Sequence, residues 1–141
     1  MLADTNEGVI VAKIRVVLAD DHQAVLAKVR GVLGEDFEVV AAVADGSQAV
    51  DAVLRLDPDV LVIDISMPVL DGLQAAARLQ TAHCRAKIIF LTIHEDQDYV
   101  AAALHVGAFG YVTKSRLATD LILAIRTALR GQTFVSQTLS T

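Results

Sequence analysis

Cysteine is almost absent. Cys84 is the single thiol, so no internal disulfide can staple the fold and stability must come from a core. One lone thiol also suits a reducing cytoplasm, the expected location. Aromatic residues make up only 4%, so that core has to be aliphatic. No apolar run reaches the roughly 18 residues that a membrane-spanning helix requires, and no membrane partner is expected. A secretory signal is missing too: Asp4 and Glu7 stand where a basic cluster would precede an apolar segment. Low-complexity tracts and long internal repeats are not found. Positive charge is in deficit, with a formal net charge of -5, which argues against nucleic-acid binding by this chain through electrostatics alone.

What remains is aliphatic and patterned. Hydrophobic residues are 54% and charged residues 21% of 141 positions, which fits one globular domain with a real core. Residues 1–12 read as an N-terminal extension. Val9-Ile10-Val11 either lengthens the first strand or frays. From residue 13 onward, continuous aliphatic runs alternate with helical spacing. Strands are expected at 13–19, 37–43, 60–64, 87–92 and 109–112. Between them, Val25, Leu26, Val29, Val32 and Leu33 mark one helix, with Asp21 as its N-cap and Gly34 as its stop. A second helix is entered through Asp45-Gly46-Ser47 and closed before Asp57-Pro58, because proline cannot continue it and biases Asp57 away from helical angles. A third is capped by Asp71 and a fourth is stopped by Gly107. The last begins at Ser115 or Arg116 and ends at Gly131. Short aliphatic strands each followed by a helix predict an α/β domain, a parallel sheet covered on both faces. Ligands of such sheets bind beyond the C-terminal strand ends.

The charged residues sit at those ends. Asp20-Asp21 closes the first strand, Asp64 the third, and Lys114 follows the fifth. Three acids and one base leave formal charge for a divalent cation, and hard oxygen ligands favour Mg²⁺, Mn²⁺ or Ca²⁺. A phosphoryl group on one carboxylate would meet that cation, Lys114 and the Thr92 hydroxyl. Each residue has a plainer reading. Asp20-Asp21 could only cap a helix, Lys114 could be a solvated loop residue, and Tyr111 could be core packing. His22, His83, His94 and His105 show no metal-ligand spacing.

Taken in order, Val17-Leu18-Ala19-Asp20-Asp21-His22, Pro58 through Pro68 with Asp71-Gly72, Ile89-Phe90-Leu91-Thr92 and Gly107 through Lys114 resemble the receiver domain of two-component response regulators. The closing stretch, Ala124 through Ser136, is similar to the NarL/FixJ (LuxR-type) subfamily. The resemblance covers residues 13–131. It implies a flavodoxin-like (βα)5 doubly wound sheet of five strands in the order 2-1-3-4-5. It implies Asp64 as the acceptor of a phosphoryl group from a sensor histidine kinase. Mg²⁺ (or Mn²⁺) would be held by Asp20, Asp21, Asp64 and the backbone carbonyl of Ser66. Thr92 and Lys114 would bind phosphoryl oxygens, Tyr111 would act as a rotating switch, and Ser66 and His94 would tune dephosphorylation. The fourth helix, fifth strand and fifth helix would form an output face and a possible homodimer surface. Residues 132–141 would begin a linker to a helix-turn-helix domain beyond this chain, the only route to DNA and to control of transcription. The alternative is a stand-alone receiver used for phosphorelay or docking. Such a domain promotes its own phosphorylation without being a conventional enzyme. An aspartyl-phosphate phosphohydrolase would need a second acid two residues after Asp64, where Ser66 stands. Ser115 replaces the proline that often follows the lysine, which leaves that peptide's geometry open.

Overall fold

The computed structural model describes residues 12–137. Val9-Ile10-Val11 lies outside the described residues. The elements alternate as the aliphatic runs require: β1 Ile14–Ala19, α1 Gln23–Leu33, β2 Phe37–Val43, α2 Gly46–Leu56, β3 Val60–Ile63, α3 Gly72–Thr81, β4 Lys87–Thr92, α4 Gln97–His105, β5 Gly110–Thr113, α5 Leu117–Leu129 and β6 Phe134–Val135. All strand pairs are parallel, and the sheet order is β2-β1-β3-β4-β5-β6. No helix among the described residues is long and apolar enough to cross a membrane.

Strand periodicity splits the core into two layers. Val17, Ala19, Leu61, Ile63, Phe90 and Tyr111 face one side, against Ala49 and Val53 of α2, Ala75 and Leu79 of α3, and Val100 of α4. Val16, Leu18, Val60, Val62, Ile89, Leu91 and Val112 face the other, against Leu26 and Val29 of α1 and Leu121 and Ile125 of α5. A sheet buried on both faces tolerates few polar side chains. The carboxylates are therefore confined to the strand ends.

The helix ends follow local chemistry. Asp45 accepts from the Gln48 N–H and starts α2, while Asp71 and Gln74 form a reciprocal capping box on α3. Gly34 closes α1 at φ +69, an angle that glycine adopts without strain. One cap differs from expectation. The N-cap of α1 is His22, not Asp21, because the Asp20 carboxylate takes the His22 N–H at 2.9 Å and pulls the helix start one residue on. A short 3-10 turn, Lys114–Arg116, precedes α5. Every peptide bond among the described residues is trans, Lys114–Ser115 included.

The strand count is a correction: six, not five. Tyr111 pairs with Val135 and Gly110 with Phe134, so Phe134–Val135, within the stretch expected to begin a linker, forms the sheet edge. What fastens it is a buried carboxylate. Asp120 of α5 accepts from Arg116 Nε at 2.9 Å, from Thr119 Oγ1 at 3.2 Å and from Ser136 Oγ at 2.8 Å. Ser136 Oγ accepts from the Thr113 N–H at 3.2 Å, and the Ser136 N–H donates to the Tyr111 carbonyl at 2.9 Å. Desolvation alone would raise the Asp120 pKa, but the bonds from Arg116, Ser136 and Thr119 outweigh it and hold the carboxyl below its ordinary value.

A depressed folded-state pKa stabilises above the unfolded carboxylate range, and that contribution is lost as pH falls through the folded value. Asp120→Asn is therefore expected to lower stability at pH 7. Its deficit against the parent should shrink in urea unfolding below about pH 4. Ser136→Ala should cost about 1–3 kcal/mol, since it strips a donor from a buried carboxylate. A Ser136→Ala protein as stable as the parent would contradict the clamp.

Candidate functional site

Register brings the site together. Ala19 of β1 is level with Ile63 of β3, Ile63 with Phe90 of β4, and Thr92 with Thr113 of β5. The next residues, Asp20, Asp64 and Lys114, thus emerge at one edge. Backbone bonds fix the first two: the Asp64 N–H donates to the Ala19 carbonyl and the Asp20 N–H to the Val43 carbonyl, both at 3.0 Å. Continuing the two-residue alternation, all three side chains leave on the α1/α5 side of the sheet. Thr92 has the other parity and falls on the same side as Tyr111.

Lys114 Nζ lies 2.9 Å from Asp20 Oδ2 and 3.0 Å from Asp64 Oδ2. Burial disfavours its charge, but the two carboxylates outweigh that and raise its pKa above the ordinary lysine value. Lys114 therefore stays an ammonium. Both aspartates are buried, and Asp64 Oδ1 has no hydrogen-bond partner among the described residues. A buried, unpaired carboxylate oxygen beside other acids is a donor atom without an acceptor of its charge. Asp21 is exposed beside them. One ligand atom from each of Asp20, Asp21, His22 and Asp64 lies within 4.8 Å of all the others. The donor set can therefore hold a metal ion. His22 is the member that sequence reasoning missed. Its spacing from the other histidines carries no signal; its adjacency to Asp20-Asp21 does.

Around this pocket the structure joins the remaining expected residues through His94. Ser66 Oγ and His94 Nε2 are 2.7 Å apart, and the His94 ring stacks on Tyr99 of α4 with centroids at 4.1 Å. The Tyr111 hydroxyl donates to the His94 carbonyl at 2.7 Å. Thr92 Oγ1 accepts a long bond from the His94 N–H at 3.4 Å. Tyr111 is fully buried, and desolvation pushes its phenol pKa far above the ordinary value, so it remains a neutral donor. Its ring points inward in this structure.

The segment after Asp64 is tightly constrained. The Gly72 N–H donates to the Ile65 carbonyl at 2.7 Å, and a Cβ on Gly72 would lie 2.1 Å from the Asp64 carbonyl oxygen. Only glycine allows that approach. Ahead of it the Leu70 N–H bonds the Pro68 carbonyl at 2.8 Å, closing a three-residue γ-turn on Val69. Val69 has φ +70 and is 81% exposed. A β-branched residue at positive φ is strained.

A doubly wound parallel sheet with three acids and a paired lysine at its C-terminal edge is the architecture of a signalling receiver. The chain belongs to the response regulator receiver domain family, matching it over residues 16–126. It is 39% identical over 131 residues to the oxygen regulatory protein NreC of Staphylococcus haemolyticus, which covers 91% of this chain and 60% of NreC. The chain thus spans about three-fifths of the length of that relative. Among solved structures it is similar to a LuxR-family two-component response regulator from Aurantimonas sp. SI85-9A1, with a TM-score of 0.85, 30% identity, and 91% of this chain and 93% of that one covered. It is also similar to the response regulator RcsB in complex with DNA, with a TM-score of 0.82, 28% identity, and 91% of this chain and 66% of that one covered. These relatives support the NarL/LuxR-type subfamily expected from the closing stretch.

Val69→Gly should relieve the left-handed strain and raise stability by about 1 kcal/mol, net of the glycine's own entropy cost. Thermal and urea unfolding test this, and a less stable variant would show that the valine side chain makes a contribution that the turn conceals.

Proposed function

We propose that this chain is the phosphorylation-activated switch of a two-component pathway, accepting a phosphoryl group on Asp64 from a sensor histidine kinase. The observation that carries the reading is the Lys114 ammonium held between Asp20 and Asp64 while Asp64 Oδ1 remains unpartnered. That oxygen is the nucleophile. Lys114, 3.0 Å from Asp64 Oδ2, orients the carboxylate before transfer and then pairs with a phosphoryl oxygen. The Thr92 hydroxyl, at the end of the neighbouring strand, donates to another. Asp20, Asp21, Asp64 and the Ser66 carbonyl would be the oxygen donors for Mg²⁺ or Mn²⁺. When bound, the dication supplies charge neutralisation for the phosphoryl oxygens, the main requirement of such transfers.

Ser66, which lines the cleft with Asp64, and His94, 2.7 Å from the Ser66 hydroxyl, govern how water reaches the phosphorylated form of Asp64. Tyr111 reports the change through its bond to the His94 carbonyl, so the conformational readout passes to α4, β5 and α5. Leu104 of α4 and Leu123 of α5 are exposed apolar residues on the elements expected to form a homodimer or output face. The domain promotes its own phosphorylation and dephosphorylation without being a conventional enzyme, and it works in the cytoplasm. Control of transcription would run through a DNA-binding domain outside this chain. Support for that comes from RcsB, which resembles this chain over 66% of its own length in a complex with DNA.

Asp64→Asn is expected to abolish Mg²⁺-dependent labelling by acetyl phosphate, read as the mass of the intact protein. Labelling that survives would move the acceptor elsewhere. Lys114→Ala should remain folded yet lose any change in self-association on phosphorylation. An unchanged phosphate-dependent sedimentation shift in that variant would refute its role in transmission.

A further inference from the structure

We propose that His22 is a nitrogen ligand of the cation site, which makes the site more favourable to Zn²⁺, and to a lesser degree to Mn²⁺, than its oxygen donors alone would. This rests on the reading of the acidic pocket as a dication site and adds a residue that the reading does not use.

Geometry comes first. His22 Nδ1 is 3.2 Å from Asp20 Oδ1 and 3.1 Å from Asp21 Oδ1. Adjacent ligands of an octahedral ion bound at about 2.1–2.2 Å are about 3 Å apart. The ring nitrogen and the two oxygens thus already have the spacing of one face of a coordination shell. The fourth atom, from Asp64, lies within 4.8 Å of the rest. The buried Asp64 carboxylate, whose Oδ1 has no hydrogen-bond partner among the described residues, is the independent sign that this cluster is a cation site and not merely a set of surface acids.

Local structure fixes the backbone of His22. His22 is the N-cap of α1, and its N–H is tied to Asp20 Oδ1 at 2.9 Å. Its side chain is 65% exposed, so the ring can turn its nitrogen toward an ion without repacking the core. It lines the same cleft as Asp64, Ser66 and Lys114.

Ligand chemistry then sets the selectivity. Mg²⁺ takes oxygen donors and retains its waters, Mn²⁺ prefers oxygen and gains little from imidazole, and Zn²⁺ binds imidazole strongly. The opposing reading is that His22 is only a positive counter-charge for the acids. The two make predictions of opposite sign. Removing a ligand weakens the metals that use it, while removing a counter-charge strengthens every dication alike.

The experiment uses the whole chain and its His22→Gln and Asp21→Asn variants. Affinities for MgCl₂, MnCl₂ and ZnCl₂ are measured by calorimetry, and bound Mn²⁺ is examined by pulsed EPR for ¹⁴N coupling. The expected result for His22→Gln is about a tenfold or greater loss of Zn²⁺ affinity, a smaller loss for Mn²⁺, and a change of less than about twofold for Mg²⁺. The ¹⁴N signal of the parent should vanish in that variant. An equal gain for all three metals, an equal loss for all three, or no ¹⁴N coupling in the parent would overturn the assignment of His22. If Asp21→Asn still abolishes Mg²⁺ binding in that case, the acidic pocket stands and only the histidine falls. If the parent binds none of the three dications, both fall.

Discussion

The ammonium of Lys114 lets this molecule keep its acids together. Two carboxylates about 4 Å apart repel by about 4 kcal/mol at the effective dielectric typical near protein surfaces, and Asp20 and Asp64 are largely withdrawn from the water that would screen them. The parallel sheet offers no escape, because register sets both residues at the same edge of adjacent strands. Lys114 lies between them and compensates part of that charge. Its position depends on β5 being level with β4, and β4 with β3. The electrostatics of the site and the order of the strands are thus one constraint: a slip of β5 by one residue would invert the parity of Lys114 and leave the aspartates unpaired.

The same parity rule separates the acids and Lys114 from Thr92 and Tyr111. Asp20, Asp64 and Lys114 leave the sheet on the α1/α5 side; Thr92 and Tyr111 leave on the side of α4. Between the two stands His94, whose carbonyl, N–H and ring engage Tyr111, Thr92, Ser66 and Tyr99 in turn. A shift of the segment after β4 would therefore be felt at the end of β3, in the core at Tyr111 and on α4 together. Such a segment suits a two-state element, since its bonds are few and nearly all pass through one residue.

Much of this was legible in the sequence because the physics is periodic. Aliphatic runs named the first five strands, and the acids ending them named the pocket. Asp45 and Asp71 announced helices that the structure caps with those side chains. What escaped was set by contacts distant along the chain. Phe134–Val135 is too short to carry a strand signal, and only the β5 edge makes it one. Asp120 reads as an ordinary polar position on a helix until Ser136 is folded onto it. The cap of α1 was misassigned because Asp20 competes for the His22 N–H. His22 was passed over because its partners are two carboxylates and not other histidines.

The sixth strand changes how the end of the domain should be understood. Ser136 bonds the backbone of Tyr111 and Thr113, in the strand that ends just before Lys114. The clamp that holds the segment leaving the domain is thus built on the strand that delivers the ammonium to the acids. Asp120 closes the circle from α5, and Arg116, in the turn that contains Lys114, supplies the compensating charge. A displacement of Lys114 toward a new anion would act on a three-residue turn, Lys114–Arg116, that also holds one partner of the clamp. Coupling between the pocket and the exit strand needs no long chain of contacts, because both are anchored within the same seven residues, 114–120, and the strand just before them.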